Sequence, residues 1–403
     1  MIPFSPPYVD QDVIDEVTDS LKSGWITTGP KVKALEQKIA AFVGIDDVLC
    51  VNSWTSGMML MLRWFGVGEG DEVIVPAYTY SATALAAMNI GAKPVMVDIK
   101  DDFNIDVDKI REAITEKTKV IVPVDIAGWP CDYDAINSLV QSPEIVGKFR
   151  PAHEIQKKLG RILVVADAAH SIGASYKGKA CGRLTDVTIF SLHAVKNVTT
   201  AEGGAICLHL PAPFDNGELY DFLRVFSLNG QTKDAFTKTK AGGWRYDIVS
   251  QGLKVNMPDV CAAIGLVQIQ KYDELLLQQR RDVFEHYNRL FAPFSWAVLP
   301  PFRENATLSC CHIYALRIKD ISEEQRDAII EAVSSRQIAV NVHFVPMPML
   351  SLFKEKGYEI GDYPNTYQQY KGEISLPIYP QLTGKEVEMV AGAVVNAYNT
   401  VIC

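Results

Sequence analysis

Through its first half the chain alternates short apolar runs with amphipathic stretches. That alternation restricts it to a largely parallel β-sheet with helices on both faces. The pattern predicts strands near Val48–Val51, Val73–Val75, Pro94–Val97, Val120–Val124, Ile162–Ala166, Val187–Phe190 and Ala205–Leu208. Helices are expected over Ser56–Phe65, Ser81–Asn89, Val107–Ala113 and Tyr133–Val140. The polar segment Ser142–Gly160 reads as a surface excursion.

The rhythm changes after Asn256-Met257-Pro258-Asp259, which opens a long helical pattern from Val260 to Leu290. Pro258 and Asp259 suit its N-terminus. A strand at Cys311–Ile318, a helix at Ser322–Ser334, a strand at Ile338–Val342 and a last helix at Gly384–Tyr398 then suggest a smaller α+β unit. Ser322 and Gln325 form a capping-box pattern. With 403 residues, two domains are expected. They divide as 1–250 and 251–403, with the N-terminal residues 1–25 packing on the smaller one.

A net charge of −9 argues against a nucleic-acid partner, which would require a basic stripe. The eight cysteines form no CxxC pair, so reduced thiols in a cytoplasmic protein are the expectation, and no metal site is read. The N-terminus lacks the basic start and apolar core of a signal peptide, and no apolar run is long enough to span a bilayer. No membrane partner is expected.

Ligands of such sheets bind beyond the carboxyl ends of the strands, and there the chain concentrates its chemistry. The run Ile162–Ala166 delivers Asp167, with His170 three residues on; Val187–Phe190 delivers Ser191, His193 and Lys196. Taken singly, Asp167 suits a turn cap, His170 a packed core and Lys196 a solvated surface. Together they suit a pyridoxal phosphate (PLP) site: Lys as the Schiff-base amine, Asp against the pyridine nitrogen, and small hydroxyls on the phosphate. The turn Val51-Asn52-Ser53-Trp54-Thr55-Ser56-Gly57 opens a helix and offers a second anion site. Tyr80, beyond another strand, is placed to stack on a flat ring.

Assembled, these segments resemble the DegT/DnrJ/StrS-type sugar aminotransferases, PLP enzymes of transferase fold type I (aspartate aminotransferase-like). VNSWTSG, VPAYTYSATA, VPVDIAGWPCDYDAI, ADAAHSIGA, FSLHAVKNVTTAEGGA, HFVP and SLPIYPQLTGKEVEMV follow the family's motifs in order, and the likeness spans almost the whole chain. The resemblance implies that Lys196 holds PLP and shuttles the substrate proton. It implies Asp167 at the ring nitrogen, His170 near the ring's 3-oxygen and Tyr80 on its face, with Ser191, Trp54 and Thr55 at the phosphate. Asn256 matches a position that reaches the phosphate from a neighbouring subunit, which implies a homodimer with shared sites. His193, His343 and Trp25 are candidates for substrate contact. Trp54 departs from the family, which usually has Gly there, and Ala166 replaces a common acidic residue.

The implied reaction moves an amino group from L-glutamate to a keto sugar of a nucleoside diphosphate, most closely C4 of a UDP-linked 4-keto-6-deoxy (2-acetamido) hexose, in surface polysaccharide synthesis. Lys31, Arg224, Lys254 and His343 are candidate helpers for the nucleotide. Amination of a 3-keto sugar or a cyclitol and a non-catalytic PLP-binding role are the alternatives. A dehydratase of this family would carry His in place of Lys196.

Overall fold

The computed structural model describes residues 1–232 and 245–402; Cys403 lies outside them. Seven strands form the main sheet in the spatial order Asp47–Val51, Gly204–Leu208, Val187–Ser191, Leu163–Asp167, Thr118–Ile121, Glu72–Pro76 and Lys93–Val97. All run parallel except Gly204–Leu208, which is antiparallel to both neighbours. That reversal matters for the site. It brings Gly204 into register with both Ser191 and Val51, so the start of one strand meets the ends of two others.

The sheet is buried on both faces, as near-continuous apolar runs require. Every residue of Leu163–Asp167, Val187–Ser191 and Gly204–Leu208 is buried. Each strand that the sequence predicts in this half is found. The four helices appear as Trp54–Trp64, Ala82–Met88, Val107–Ala113 and Tyr133–Gln141. Sequence periodicity did not resolve the N-terminal helices Gln11–Ser23 and Pro30–Val43.

The structure corrects some of these expectations and extends others. The segment 142–160 is no plain excursion: it holds helices Pro143–Lys148 and Glu154–Leu159 and buries Ile145, Phe149 and Gln156. Gln156 Nε2 donates to the carbonyl of Phe65 at 3.0 Å, tying the segment to the core. Asp259 opens its own helix, Asp259–Lys271, as expected, and its carboxylate in addition caps a different one. It accepts from the N–H groups of Gly29, Lys31 and Val32 at the start of Pro30–Val43. Residues 338–342 form no strand. Ile338 bridges Ile2 and Asn341 bridges Ser375, because the edge is shared by two short partners.

The long helix continues from Asp259–Lys271 through a π-helical turn at Tyr272–Leu276 into Leu277–Phe291. Beyond it, Ala297–Val298, Tyr314–Ile318 and Glu373–Leu376 form an antiparallel sheet. Glu323–Ser334 and Gly384–Ile402 flank it, around a second apolar cluster that includes Ile2. The Ser322–Gln325 capping box is formed in both directions. The strand expected from Cys311 starts only at Tyr314. The preceding residues turn away, Cys311 at φ +56, so that the His312 and Cys310 N–H groups donate to the carbonyls of Ala127 and Gly128, in the short turn Ile126–Gly128 that follows the strand Thr118–Ile121. This crossing carries His312 to the site.

Candidate active site

Strand ends, one hairpin loop and the crossing segment enclose a cavity of about 430 Å³. The hairpin runs from Val187–Ser191 to Gly204–Leu208, and Lys196 sits in the loop between them. Such a loop needs internal fastening. Leu192 donates its N–H to the Gly203 carbonyl at 2.9 Å. Its own carbonyl accepts from the Thr200 N–H at 2.9 Å and from the Thr199 and Thr200 hydroxyls at 3.2 and 3.3 Å. Next to Lys196, Asn197 is buried and held by the Tyr272 hydroxyl, the Cys310 carbonyl and His312 Nδ1.

Asp167 ends the central strand and is 4% exposed. Its Oδ2 accepts from the Thr83 hydroxyl at 2.8 Å and its Oδ1 from the Ala169 N–H at 3.1 Å. Burial pushes its carboxyl up to about 7, against the pull of those two donors and of Lys196. Burial also drives Lys196 down to about 8, with Asp167 opposing. The cavity therefore presents an amine with a large neutral fraction near pH 8, the form that attacks a carbonyl.

His170 is buried and held well below the usual imidazole range, first by desolvation and then by Lys196 and His343. Its Nδ1 accepts from the Ala127 N–H at 3.3 Å, so the neutral ring carries its proton on Nε2. The ring lies 4.4 Å from His312 and stacks on Phe344 at 5.8 Å. Tyr80 reaches the same Phe344 at 5.8 Å while remaining largely exposed.

At one end the donors are small. Ser53 caps the Trp54–Trp64 helix, its hydroxyl accepting from the Ser56 N–H at 3.1 Å. Thr55 and Ser191 line the cavity nearby, and the helix N-terminus adds free N–H groups and a positive dipole end. Trp54, the departure from the family pattern, is 6% exposed and also lines the cavity. Its indole N–H has no partner among the described residues. Gly204 explains the close approach: a Cβ there would lie 2.7 Å from the Ser53 carbonyl carbon.

Asp167, His170, Ser191, His193, Lys196, Trp54, Thr55, Tyr80 and His343 thus meet in one cavity. Asn256 and Trp25 do not line it. Asn256 donates to the Thr28 hydroxyl and accepts from Lys254; Trp25 Nε1 donates to the Thr28 carbonyl at 3.3 Å. Lys31 is paired with Glu16 and Asp19, and neither Arg224 nor Lys254 reaches the cavity. Sequence reasoning missed Thr83, His312 and Phe344. Thr83 was within reach, standing three residues after Tyr80 at the start of a helix; His312 was not, because only the chain crossing brings it in.

The residues fit PLP. An anion-binding turn lies at one end, a buried carboxylate and a depressed lysine lie within the same cavity, and aromatic rings wall it. Six described cysteines are buried, all seven are free, and no metal-ligating cluster occurs among the described residues. No described helix is long and apolar enough to cross a membrane.

Comparison with known proteins agrees. The model of the DegT/DnrJ/EryC1/StrS aminotransferase family matches residues 7–395. The spore coat polysaccharide biosynthesis protein SpsC of Bacillus subtilis is 35% identical over 98% of this chain and 96% of its own length. The UDP-4-amino-4-deoxy-L-arabinose–oxoglutarate aminotransferase of Shewanella sediminis is 33% identical over 98% and 97%. Among solved structures, Spr1654 of Streptococcus pneumoniae, provisionally named a sugar aminotransferase, superposes in its PMP form with a TM-score of 0.95. It is 42% identical over 100% of both chains. Its PLP form matches at 0.94.

Proposed function

This chain belongs to the DegT/DnrJ/EryC1/StrS aminotransferase family as a PLP-dependent sugar transaminase, and from that premise we propose its substrates and the work of each site residue. The donor is L-glutamate. The acceptor is the keto group of a nucleoside diphosphate sugar, at C4 of a UDP-linked 4-keto-6-deoxy (2-acetamido) hexose, in surface polysaccharide synthesis. Two relatives support this reading. The Shewanella enzyme's name puts an amino group on C4 of a UDP sugar and couples it to oxoglutarate, and the Bacillus protein serves a polysaccharide.

PLP, when bound, supplies a carbonyl that exchanges for the amino group and an electron sink that acidifies the neighbouring C–H. Lys196 Nζ, near its balance point at about 8, takes the proton from the amino-bearing carbon of the donor and returns one to the sugar carbon. Asp167 Oδ1 and Oδ2, steadied by Ala169 and Thr83, hold the ring nitrogen's proton. His170 donates from Nε2 beside the ring, and Thr55, Trp54 and Ser191 hold the phosphate. His193, whose Nε2 lies 3.5 Å from Glu202, and His343 meet the sugar. Asn256, outside its own chain's cavity, serves that of a second copy in a homodimer. Residues 1–250 make the cofactor-binding unit and 251–403 the smaller one.

The observation that carries this reading is the buried Asp167 and the half-buried Lys196 in one cavity, each pushed by desolvation toward its neutral form. The test is borohydride reduction of the PLP-loaded protein followed by peptide mass analysis. A pyridoxyl group on the Lys196 peptide, lost after prior incubation with L-glutamate, supports the lysine and the donor; turnover of a keto-sugar-nucleotide panel then fixes the acceptor. An unmodified Lys196 in folded, PLP-loaded protein defeats the assignment.

A further inference from the structure

His343 faces the cavity, but its fastening lies behind it in the small sheet. Its Nδ1 is 2.9 Å from the Ser375 hydroxyl, whose oxygen is 2.5 Å from Glu373 Oε1. Glu373 Oε2 in turn accepts the backbone N–H of His343 at 3.0 Å. Paired backbone bonds between Asn341 and Ser375, 3.1 and 2.8 Å, fix the register that makes this possible. Glu373 and Ser375 have 0% exposure, and their side-chain hydrogen bonds lead toward the cavity through the imidazole. With Nδ1 engaged, Nε2 is the nitrogen left for the cavity.

We propose that Glu373 and Ser375 are positioning residues which, through one relayed proton, set whether His343 offers the substrate an acceptor or a donor at Nε2. The substrate group addressed is an uncharged sugar hydroxyl or amide rather than a phosphate. This deepens the sugar-transaminase reading and rests on it for the ligand's identity.

With Glu373 ionised, Ser375 donates to Oε1, His343 Nδ1–H donates to Oγ, and Nε2 keeps its lone pair. One proton taken from solvent at Nε2 allows the Nδ1 proton to pass to Oγ and the former Oγ proton to pass to Oε1. The result is a neutral carboxyl, a hydroxyl donating to Nδ1, and Nε2–H. One proton is gained, none is lost, and no heavy atom need move.

The surroundings favour storing that proton on the carboxyl. Burial pushes Glu373 up to about 8, against the pull of Ser375, the His343 N–H, Arg326 and Arg317. Burial holds His343 itself down at about 4, and Lys196 across the cavity lowers it further. His170 and His312, both neutral for the same reason, lie within its electrostatic reach, and the Tyr78 hydroxyl donates to its carbonyl at 2.7 Å. An imidazolium is disfavoured in either state, which is why an anionic phosphate is a poor match for this ring.

The direct test is tautomer-sensitive nitrogen NMR of ring-¹⁵N-histidine protein, free of cofactor, from pH 6.5 to 9.5. His343 signals are identified by their loss in His343→Gln. The expected Nε2 signal changes from protonated to unprotonated with a midpoint near 8. In Glu373→Gln, whose amide can donate to Ser375 as the neutral carboxyl does, Nε2 stays protonated throughout; Ser375→Ala uncouples the ring and removes the transition. Circular dichroism and retained PLP loading show that the variants fold. A wild-type tautomer that ignores pH, or a transition that survives both substitutions, overturns the relay. With sugar nucleotide at about pH 9, where wild-type Nε2 is an acceptor and the Glu373→Gln ring still a donor, the substitution should change KM about fivefold with kcat nearly kept, the size of one neutral hydrogen bond, and at pH 6.5 the two proteins should share one KM. An unchanged KM at the higher pH overturns the substrate contact. Absence of any sugar turnover refutes the functional reading while the spectra still decide the relay.

Discussion

Thr83 offers a sharp test of how the cavity controls charge. Its hydroxyl donates to Asp167 Oδ2 at 2.8 Å, and both residues are buried. Thr83→Val keeps the shape and removes the donor. A hydrogen bond to an ionised group is worth about 1.5–3 kcal/mol, so its loss raises the Asp167 carboxyl by about 1–2 pH units. From a starting value of about 7, the variant should titrate between about 8 and 9. At pH 7.5 the ionised fraction then falls from roughly three quarters to roughly 3–25%. If PLP binds the ionised carboxylate, affinity drops roughly 3- to 25-fold at pH 7.5 and recovers at pH 9.5, where both proteins are ionised. Absorbance titration of cofactor-free protein with PLP at the two pH values measures this, with Thr83→Ser as the rescue because it keeps the hydroxyl. Equal weakening at both pH values would mean lost packing and would refute the charge argument. So would wild-type affinity at pH 7.5.

Other expectations follow from the same buried groups. In cofactor-free protein, Asp167 and Glu36, each pushed up to about 7, and Glu373, up to about 8, keep protons that the unfolded chain has released by pH 6.5. These carboxyls alone lower stability by about 3 kcal/mol between pH 6.5 and 8; with the offset from the lowered histidines and Lys196 the net fall is about 1.5 kcal/mol, and a thermal melt flat or rising over that window contradicts it. The lowered histidines act in the opposite sense below about pH 7.5, where the unfolded chain still holds their protons and rising pH favours folding; Lys196 does so mainly above pH 8. Lys196→Ala should abolish transamination yet leave the melting temperature of cofactor-free protein unchanged or higher, since a half-buried, partly desolvated amine is removed; near-normal turnover sinks its proposed role. Gly204→Ala forces a Cβ to 2.7 Å from the Ser53 backbone. It should cost about 1–3 kcal/mol by urea unfolding and weaken PLP binding through the displaced helix start, and neutrality on both counts rejects the close-approach account.

Much of the site was legible because its groups stand where apolar runs stop. Asp167, Ser191 and Lys196 follow strands whose ends can be read from composition alone, and parallel sheets bind ligands at those ends. Thr55 and Trp54 were legible as a capped helix start. Other parts were not, for physical reasons that differ. Asp259 stands at its own helix N-terminus as expected but also caps a helix that begins 229 residues earlier, at Pro30, a pairing no local pattern encodes. Thr199 and Thr200 carry no local pattern that marks a role, yet they fasten the Lys196 loop to the Leu192 carbonyl. The strand expected at 338–342 failed because its partners, Ile2 and Ser375, are far apart in sequence and each supplies only one bridge.

The sequence by itself determined the alternation of strands and helices across the main sheet and the types of group delivered at its strand ends. These follow from side-chain periodicity and local backbone preference, which act over a few residues. Only the tertiary structure decided which groups meet: Thr83 with Asp167, His312 with Asn197, and Glu373 with His343 through Ser375. It also decided their protonation. An aspartate at about 7, a lysine at about 8 and histidines kept neutral are not properties of those residue types. They arise from desolvation by atoms that packing alone brings near, and the cavity's acid–base chemistry depends on that burial.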